Sequence, residues 1–129
     1  MDGITVKNVE EIAPYSGPYV IPGIRFRFAR EVLGVSAWGM SVIEMDANCS
    51  GYPKHDHEDD GHEELYLILS GSIVLQTSGG ERVLSQGDFV RVAPETVRKF
   101  VTRDQAATLL ALGGTPGQSY KPSTGRRIE

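Results

Sequence analysis

The stretch YPKHDHEDDGHEELYLILSG, residues 52–71, holds all three histidines of the chain and six of its seventeen carboxylates, and it ends in an apolar run. Its second half alternates with a period of two: Glu64, Tyr66 and Ile68 fall on one side, and Leu65, Leu67 and Leu69 on the other. That is the pattern of a strand. The three leucines are expected to form its buried apolar face, and Tyr66 and Ile68 to line a pocket or the core beside Glu64. In the first half, His55 and His57 stand two apart, so an extended backbone sends both imidazoles from one face. A turn through EDDG, residues 58–61, then brings Glu64 back beside them.

The same period extends outward. IRFRFA (24–29) sets Ile24, Phe26 and Phe28 against Arg25 and Arg27. SAWGMSVIEM (36–45), EELYLILSG (63–71), GDFVRVAP (87–94), RKFVT (98–102) and ATLLALGG (107–114) read as further strands. SIVLQTSGGERVLS (72–85) reads as a hairpin turning at Gly79 and Gly80. Trp38, Met40 and Val42 alternate and are expected in the core. Only ITVKNVEEIA (4–13) and REVL (30–33) carry a helical hint. Short strands divided by turn signals predict an all-β sandwich or barrel over residues 21–114, preceded by an N-terminal segment, 1–20. Residues 115–129 are rich in Gly, Pro, Ser and Thr and read as a flexible tail, or as an arm that orders against a partner.

At 129 residues the chain suits one domain, one core and therefore one site. The N-terminus lacks the basic start and apolar h-region of a signal peptide, which makes the cytoplasm the expected compartment and a membrane an unexpected partner. A single cysteine, Cys49, allows neither an internal disulfide nor a thiolate cage. The net charge is −4, and the excess is local: residues 54–64 carry one lysine against six carboxylates. No basic face interleaved with aromatics offers itself to phosphates, so nucleic acid is excluded as a partner.

An acidic segment with converging imidazoles suits a cation. His55, His57 and Glu64 combine nitrogen and oxygen donors fit for Fe(II), Mn(II), Zn(II), Ni(II) or Co(II). His62, two residues before Glu64, either joins them as a further ligand or sits in the turn. Two rival motifs fail. His57 and His62 are five apart, so HEDDGH is not the helical H-E-x-x-H of zinc proteases, and a calcium loop counted from Asp56 meets Leu67 where a bidentate Glu belongs.

These residues resemble the first motif of the cupins, small jelly-roll (double-stranded β-helix) barrels. His55-x-His57 matches the histidine pair and Glu64 with Gly71 matches E-x6-G, although six residues separate His57 from Glu64 and Cys49 stands where a glycine is usual. Gly87 and Asp88 open the second motif, which then departs: Arg98 falls at its histidine and Thr102 at its asparagine. The resemblance implies a cupin-like barrel, a divalent metal ion and a homodimer of paired barrels, which would cover a sheet edge near IRFRFA. A guanidinium has no lone pair and stays protonated, so Arg98 is no ligand. Facing inward, it would repel a cation and grip a carboxylate or phosphate; facing outward, it would lie beside Lys99. Three outcomes stay open: a three-ligand metal, a metal that recruits His62, or no metal and a small-molecule ligand bound by the histidines, Glu64, Arg98 and Tyr66. The resemblance is compatible with an enzyme of dioxygenase or isomerase type and with a non-catalytic binding or sensing barrel.

Overall fold

The computed structural model describes residues 2–122. Seven strands dominate: β1 (Ile24–Arg27), β2 (Gly39–Met45), β3 (Glu63–Thr77), β4 (Gly80–Ser85), β5 (Phe89–Val92), β6 (Lys99–Val101) and β7 (Ala107–Gly114). One short helix, α1 (Ala29–Leu33), joins β1 to β2, and ITVKNVEEIA supplies only a 3-10 turn at Val9–Glu11. Every strand pair is antiparallel, in the order β1-β2-β7-β3-β4, with β5 and β6 also on β3. The all-β expectation holds, and so does the hairpin, with β3 ending at Thr77 and β4 beginning at Gly80.

The sequence divided β3 at Gly71, whereas the structure carries one 15-residue strand through it. Gly71 has φ 79°, and a Cβ there would stand 1.9 Å from the Ala106 carbonyl oxygen. Only glycine allows both that conformation and that approach. The strand bends at this point: its first half pairs with β5 and β7, its second with β4 and β6. Gly71 therefore turns one strand across two faces of the barrel instead of ending it.

The predicted core face of β3 is the wrong one. Tyr66 and Ile68 are buried at 1% exposure, beside Glu64, while Leu69 is 42% exposed and Leu65 and Leu67 are half-buried. The reason is register. Leu67 lies between Phe89 and Leu110, and Leu65 between Arg91 and Leu112, so these leucines share the barrel's outer surface with exposed Phe89. The same correction applies to β2, where Ser41, Ile43 and Met45 point inward, Trp38 is exposed and Met40 is half-buried. Val42, at 9%, lies on the opposite face of the strand. The core itself is formed by Ile24, Phe26, Ile43, Met45, Tyr66, Ile68, Ile73, Phe100 and Leu109 with their neighbours.

The N-terminal segment is tied to the barrel through Arg27, whose guanidinium pairs with Glu44 at 2.9 Å and donates to the Ile12 carbonyl at 2.8 Å. Pro14 bridges to Arg27 and the Tyr15 amide donates to the Phe26 carbonyl at 2.7 Å, so the chain covers part of the β1 edge itself. Beyond β7, the Thr115 hydroxyl donates to the Asp60 carbonyl at 2.8 Å, and Arg30 lies over the Tyr120 ring, 4.9 Å from its centroid. The last part of the tail, residues 123–129, lies outside the described residues.

Candidate metal centre

His55 reaches the barrel by pairing. Its amide donates to the Arg98 carbonyl at 3.1 Å and the Arg98 amide donates to the His55 carbonyl at 2.9 Å, an antiparallel bridge just ahead of β6. The His57 amide donates to the Pro94 carbonyl at 2.7 Å. Directly opposed residues of an antiparallel pair put their side chains on one face, so Arg98 enters the barrel with His55. It is wholly buried. Glu64 arrives from β3 as the turn through EDDG required.

Inside, four side chains converge on Glu64. The Tyr66 hydroxyl donates to Glu64 Oε1 at 2.5 Å, Arg98 Nη2 forms an ion pair with the same oxygen, His57 Nε2 lies 3.3 Å from it and His55 Nε2 3.9 Å. Arg98 is held at its other branch, where Nη1 donates to the Thr96 carbonyl at 3.0 Å. The remote nitrogens of both rings are engaged as well. His55 Nδ1 lies 2.8 Å from the Pro53 carbonyl, which can only accept, so Nδ1 carries the proton and Nε2 keeps its lone pair toward Glu64. His57 Nδ1 lies 3.1 Å from both Asp60 oxygens, so its ring stands between two carboxylates.

Burial pushes the His55 pKa down to about 4, with the Arg98 charge acting in the same direction, which leaves the imidazole neutral at pH 7. Burial, with Tyr52 and Glu64, pushes the Tyr66 phenol well above its ordinary value, so it remains a donor. Burial works against the Arg98 charge, but Tyr66 and Glu64 more than offset it and raise its pKa.

Does this donor set fit a divalent ion? The neutral His55 lone pair, His57 Nε2 and the Glu64 carboxylate crowd one point, and a cation there would turn lone-pair repulsion into bonds. The Pro53 carbonyl and the Asp60 carboxylate are the kind of partners that fix metal-binding imidazoles from behind. The set fits. Arg98 competes for the same oxygen, and the cavity beside Glu64, lined by Ser41, Tyr52, His55 and Tyr66, measures only ≈10 Å³.

Among the described residues two groups could hold a metal ion, His55, His57 and Glu64, and His57, Asp60 and His62, each with its ligand atoms within 4.8 Å of one another. The structure thus places His62 in the second group, at the barrel rim, where its Nε2 lies 2.9 Å from the Lys121 carbonyl and its Nδ1 3.7 Å from Asp60 Oδ2. In the sequence Asp60 is only one charge among six. Its spacing three after His57 was the available signal, whereas nothing in the sequence pointed to the Lys121 carbonyl. Thr102, at the position of the second-motif asparagine, is a structural residue: its hydroxyl accepts from the Cys49 amide at 2.9 Å and donates to the Asp46 carbonyl at 2.5 Å.

Comparison with known proteins agrees with this architecture. The cupin domain family matches residues 41–113. A sugar phosphate isomerase of the cupin superfamily from Silicibacter pomeroyi superposes with TM-score 0.74 at 21% identity, covering 84% of this chain and 74% of that one. A cupin 2 conserved barrel protein from Salinispora arenicola gives 0.70 at 16% identity, covering 87% and 89%, and a predicted oxalate decarboxylase from Thermotoga maritima 0.68 at 19%, covering 84% and 97%. At these identities the likeness is one of fold, an all-β jelly roll. No curated protein matches the sequence. The family match spans more than half of the chain, and with it the chain belongs to the cupins.

Proposed function

We propose that this cupin binds one divalent metal ion in its barrel through His55, His57 and Glu64 and acts there on a small anionic molecule. The observation that carries the reading is the orientation of His55: its Nδ1 faces the Pro53 carbonyl at 2.8 Å, so a neutral lone pair is directed at the carboxylate it would share with the ion. Asp60 holds the His57 ring from behind. When bound, the metal would supply Lewis-acid or redox chemistry. The chain's own groups do the rest: Arg98, held by Glu64 and the Thr96 carbonyl, keeps its Nε–H for a carboxylate or phosphate, Tyr66 keeps its proton and donates it as a hydrogen bond, and the apolar barrel wall excludes water.

A second reading, a binding or sensing barrel without a metal, is favoured by the Arg98–Glu64 ion pair and by the ≈10 Å³ of space beside it. There Arg98 already takes the place of the cation. Elemental analysis of protein purified without chelator, beside His55→Ala, separates the two. Stoichiometric metal that disappears in the variant supports the metal centre; no metal in either protein leaves the binding barrel.

The homodimer belongs to the same reading. Leu65, Leu67 and Leu69 with Phe89, which is 69% exposed, form an apolar outer sheet face flanked by the Arg91–Glu63 ion pair, a surface that suits a second copy. Within the described residues no helix is long and apolar enough to cross a membrane.

A further inference from the structure

The barrel site is closed. Arg98, Glu64, Tyr66 and His57 are each at most 2% exposed, so a ligand reaches Glu64 only when part of the structure moves. The strands resist such movement, because each is held in an antiparallel ladder. The arm that follows β7, residues 115–122, pairs with no strand among the described residues. Segments without ladder hydrogen bonds open at the lowest cost in free energy. The arm lies across the barrel mouth, and between Gln118, Ser119 and Lys121 on its side and Asp56, His57 and His62 on the other is a cavity of ≈380 Å³.

What holds the arm down also holds His57. Tyr120 lies between the Arg30 guanidinium of α1, 4.9 Å from its ring centroid, and the His62 ring, with 5.4 Å between centroids. His62 in turn stacks on His57, with centroids 5.3 Å apart and planes 20° from parallel, and its Nε2 donates to the Lys121 carbonyl at 2.9 Å. One column of side chains, Arg30, Tyr120, His62 and His57, thus runs from α1 into the site. At the edge of the His57 ring, Asp60 meets Nδ1 at 3.1 Å, and the Thr115 hydroxyl donates to the Asp60 carbonyl at 2.8 Å. Tyr120 is seated over Gly39, where a Cβ would stand 2.6 Å from its hydroxyl oxygen.

We propose that residues 115–122 are the gate of the barrel site, latched by Tyr120 between Arg30 and His62, and that the latched arm sets the plane of the His57 ring. Tyr120 and His62 are positioning residues, acting on the site through His57. The inference rests on the metal centre proposed above: a ring fixed in plane keeps His57 Nε2 at 3.3 Å from Glu64, within reach of a shared ion, and the closed arm keeps water from it. When the arm lifts, Tyr120 and the Lys121 carbonyl leave His62, the cavity opens to solvent, and the His57 ring is free to turn. Entry to the site and a looser ligand ring come together, so a filled site and a closed arm stabilise each other.

Two readouts test the gate, one of them without metal. Full-length, chelator-treated protein is exposed to diethyl pyrocarbonate, and carbethoxylation of His57 and His62 is timed by peptide mass spectrometry. Both are expected to react slowly in the wild type. Tyr120→Ala, which removes the latch, and Gly39→Ala, which fills its seat, are expected to react about tenfold faster or more with an unchanged thermal midpoint, and Tyr120→Phe, which keeps the ring, to react like the wild type. The rate at which excess EDTA extracts Zn(II) from loaded protein should rise by a similar factor in the two alanine variants and not in Tyr120→Phe. A His57 that reacts no faster in either alanine variant would overturn the gate, as would a wild-type His57 as reactive as a free histidine peptide, or faster reaction accompanied by a lowered midpoint in both. Faster carbethoxylation with unchanged zinc extraction would overturn the hold on the ligand ring. Wild-type protein that takes up no Zn(II) would refute the metal centre alone, because carbethoxylation still judges the arm.

Discussion

Arg98 occupies the carboxylate that a metal ion in the barrel would need, and Arg98→His isolates its effect. The guanidinium touches Glu64 Oε1, and both histidine Nε2 atoms lie within 3.9 Å of that oxygen. An ion shared by these donors at ordinary bond lengths of about 2 Å would lie about 5 Å from the guanidinium charge. At an effective dielectric of about 20, one positive charge and a divalent ion at that distance repel by about 7 kcal/mol, before solvent and the counter-charge of Glu64 reduce it. Even a fifth of that is about a tenfold effect on affinity. Replacement by histidine removes the repulsion and adds a nitrogen opposite His55, so Mn(II) or Zn(II) is expected to bind at least tenfold more tightly, while affinity for a carboxylate or phosphate falls. The assay is titration calorimetry, with Lys99→Ala as a control for net charge. Equal metal affinity with and without Arg98 would refute the competition and detach Arg98 from the site.

Three further outcomes test the fold around the site. Ile68→Asp is expected to abolish cooperative folding, because a buried unpaired carboxylate costs several kcal/mol, a large share of a domain's stability; Leu67→Asp on the outer face should fold and, by light scattering, shift any dimer toward monomer. If Leu67→Asp fails to fold while Ile68→Asp melts cooperatively, the assignment of faces is wrong. Gly71→Ala should lower the denaturant midpoint by an amount equivalent to about 2–4 kcal/mol, since the alanine would carry both a positive φ and a clash with the Ala106 carbonyl; an unchanged midpoint would remove the bend from the account. For Glu44, burial raises the carboxyl pKa but hydrogen bonds from Arg27 and Arg25 lower it further, to a net value below the ordinary one. Its stabilisation is therefore full above its unfolded pKa and lost as pH falls through the lowered folded pKa. Urea unfolding should find Glu44→Gln about 1–3 kcal/mol less stable at pH 7, with the gap closing as the pH falls below the ordinary carboxylate range; a gap independent of pH would deny the ion pairs their role.

How far the sequence could be read follows from what period-two alternation contains. It locates strands well, and β1, β2, β3 and β7 fall where the alternation places them. It does not say which of two apolar-compatible faces is buried. Along Glu64–Leu69 hydrophobicity favours the leucines, but the barrel takes the other face because Glu64, Tyr66, Arg98 and the histidines satisfy one another inside it. A buried polar cluster of this kind inverts the ordinary pattern, and nothing local to β3 reveals it, since Arg98 is 34 residues away in sequence from Glu64.

The ligand groups divide along the same line. His55, His57 and Glu64 were legible because their spacing is a backbone property: parity sets two imidazoles on one face, and a single turn returns the carboxylate. The inward position of Arg98 required the His55–Arg98 bridge, a register between segments 43 residues apart, which no local pattern encodes. The orientation of each imidazole is set still more remotely, by a Pro53 carbonyl, an Asp60 carboxylate and a Lys121 carbonyl. These acceptors decide where each lone pair points, and lone pairs decide where a cation can go. In this barrel the Glu64 carboxylate already has the Arg98 guanidinium as its cation, so a divalent ion held by His55 and His57 would have to compete with Arg98 for that carboxylate.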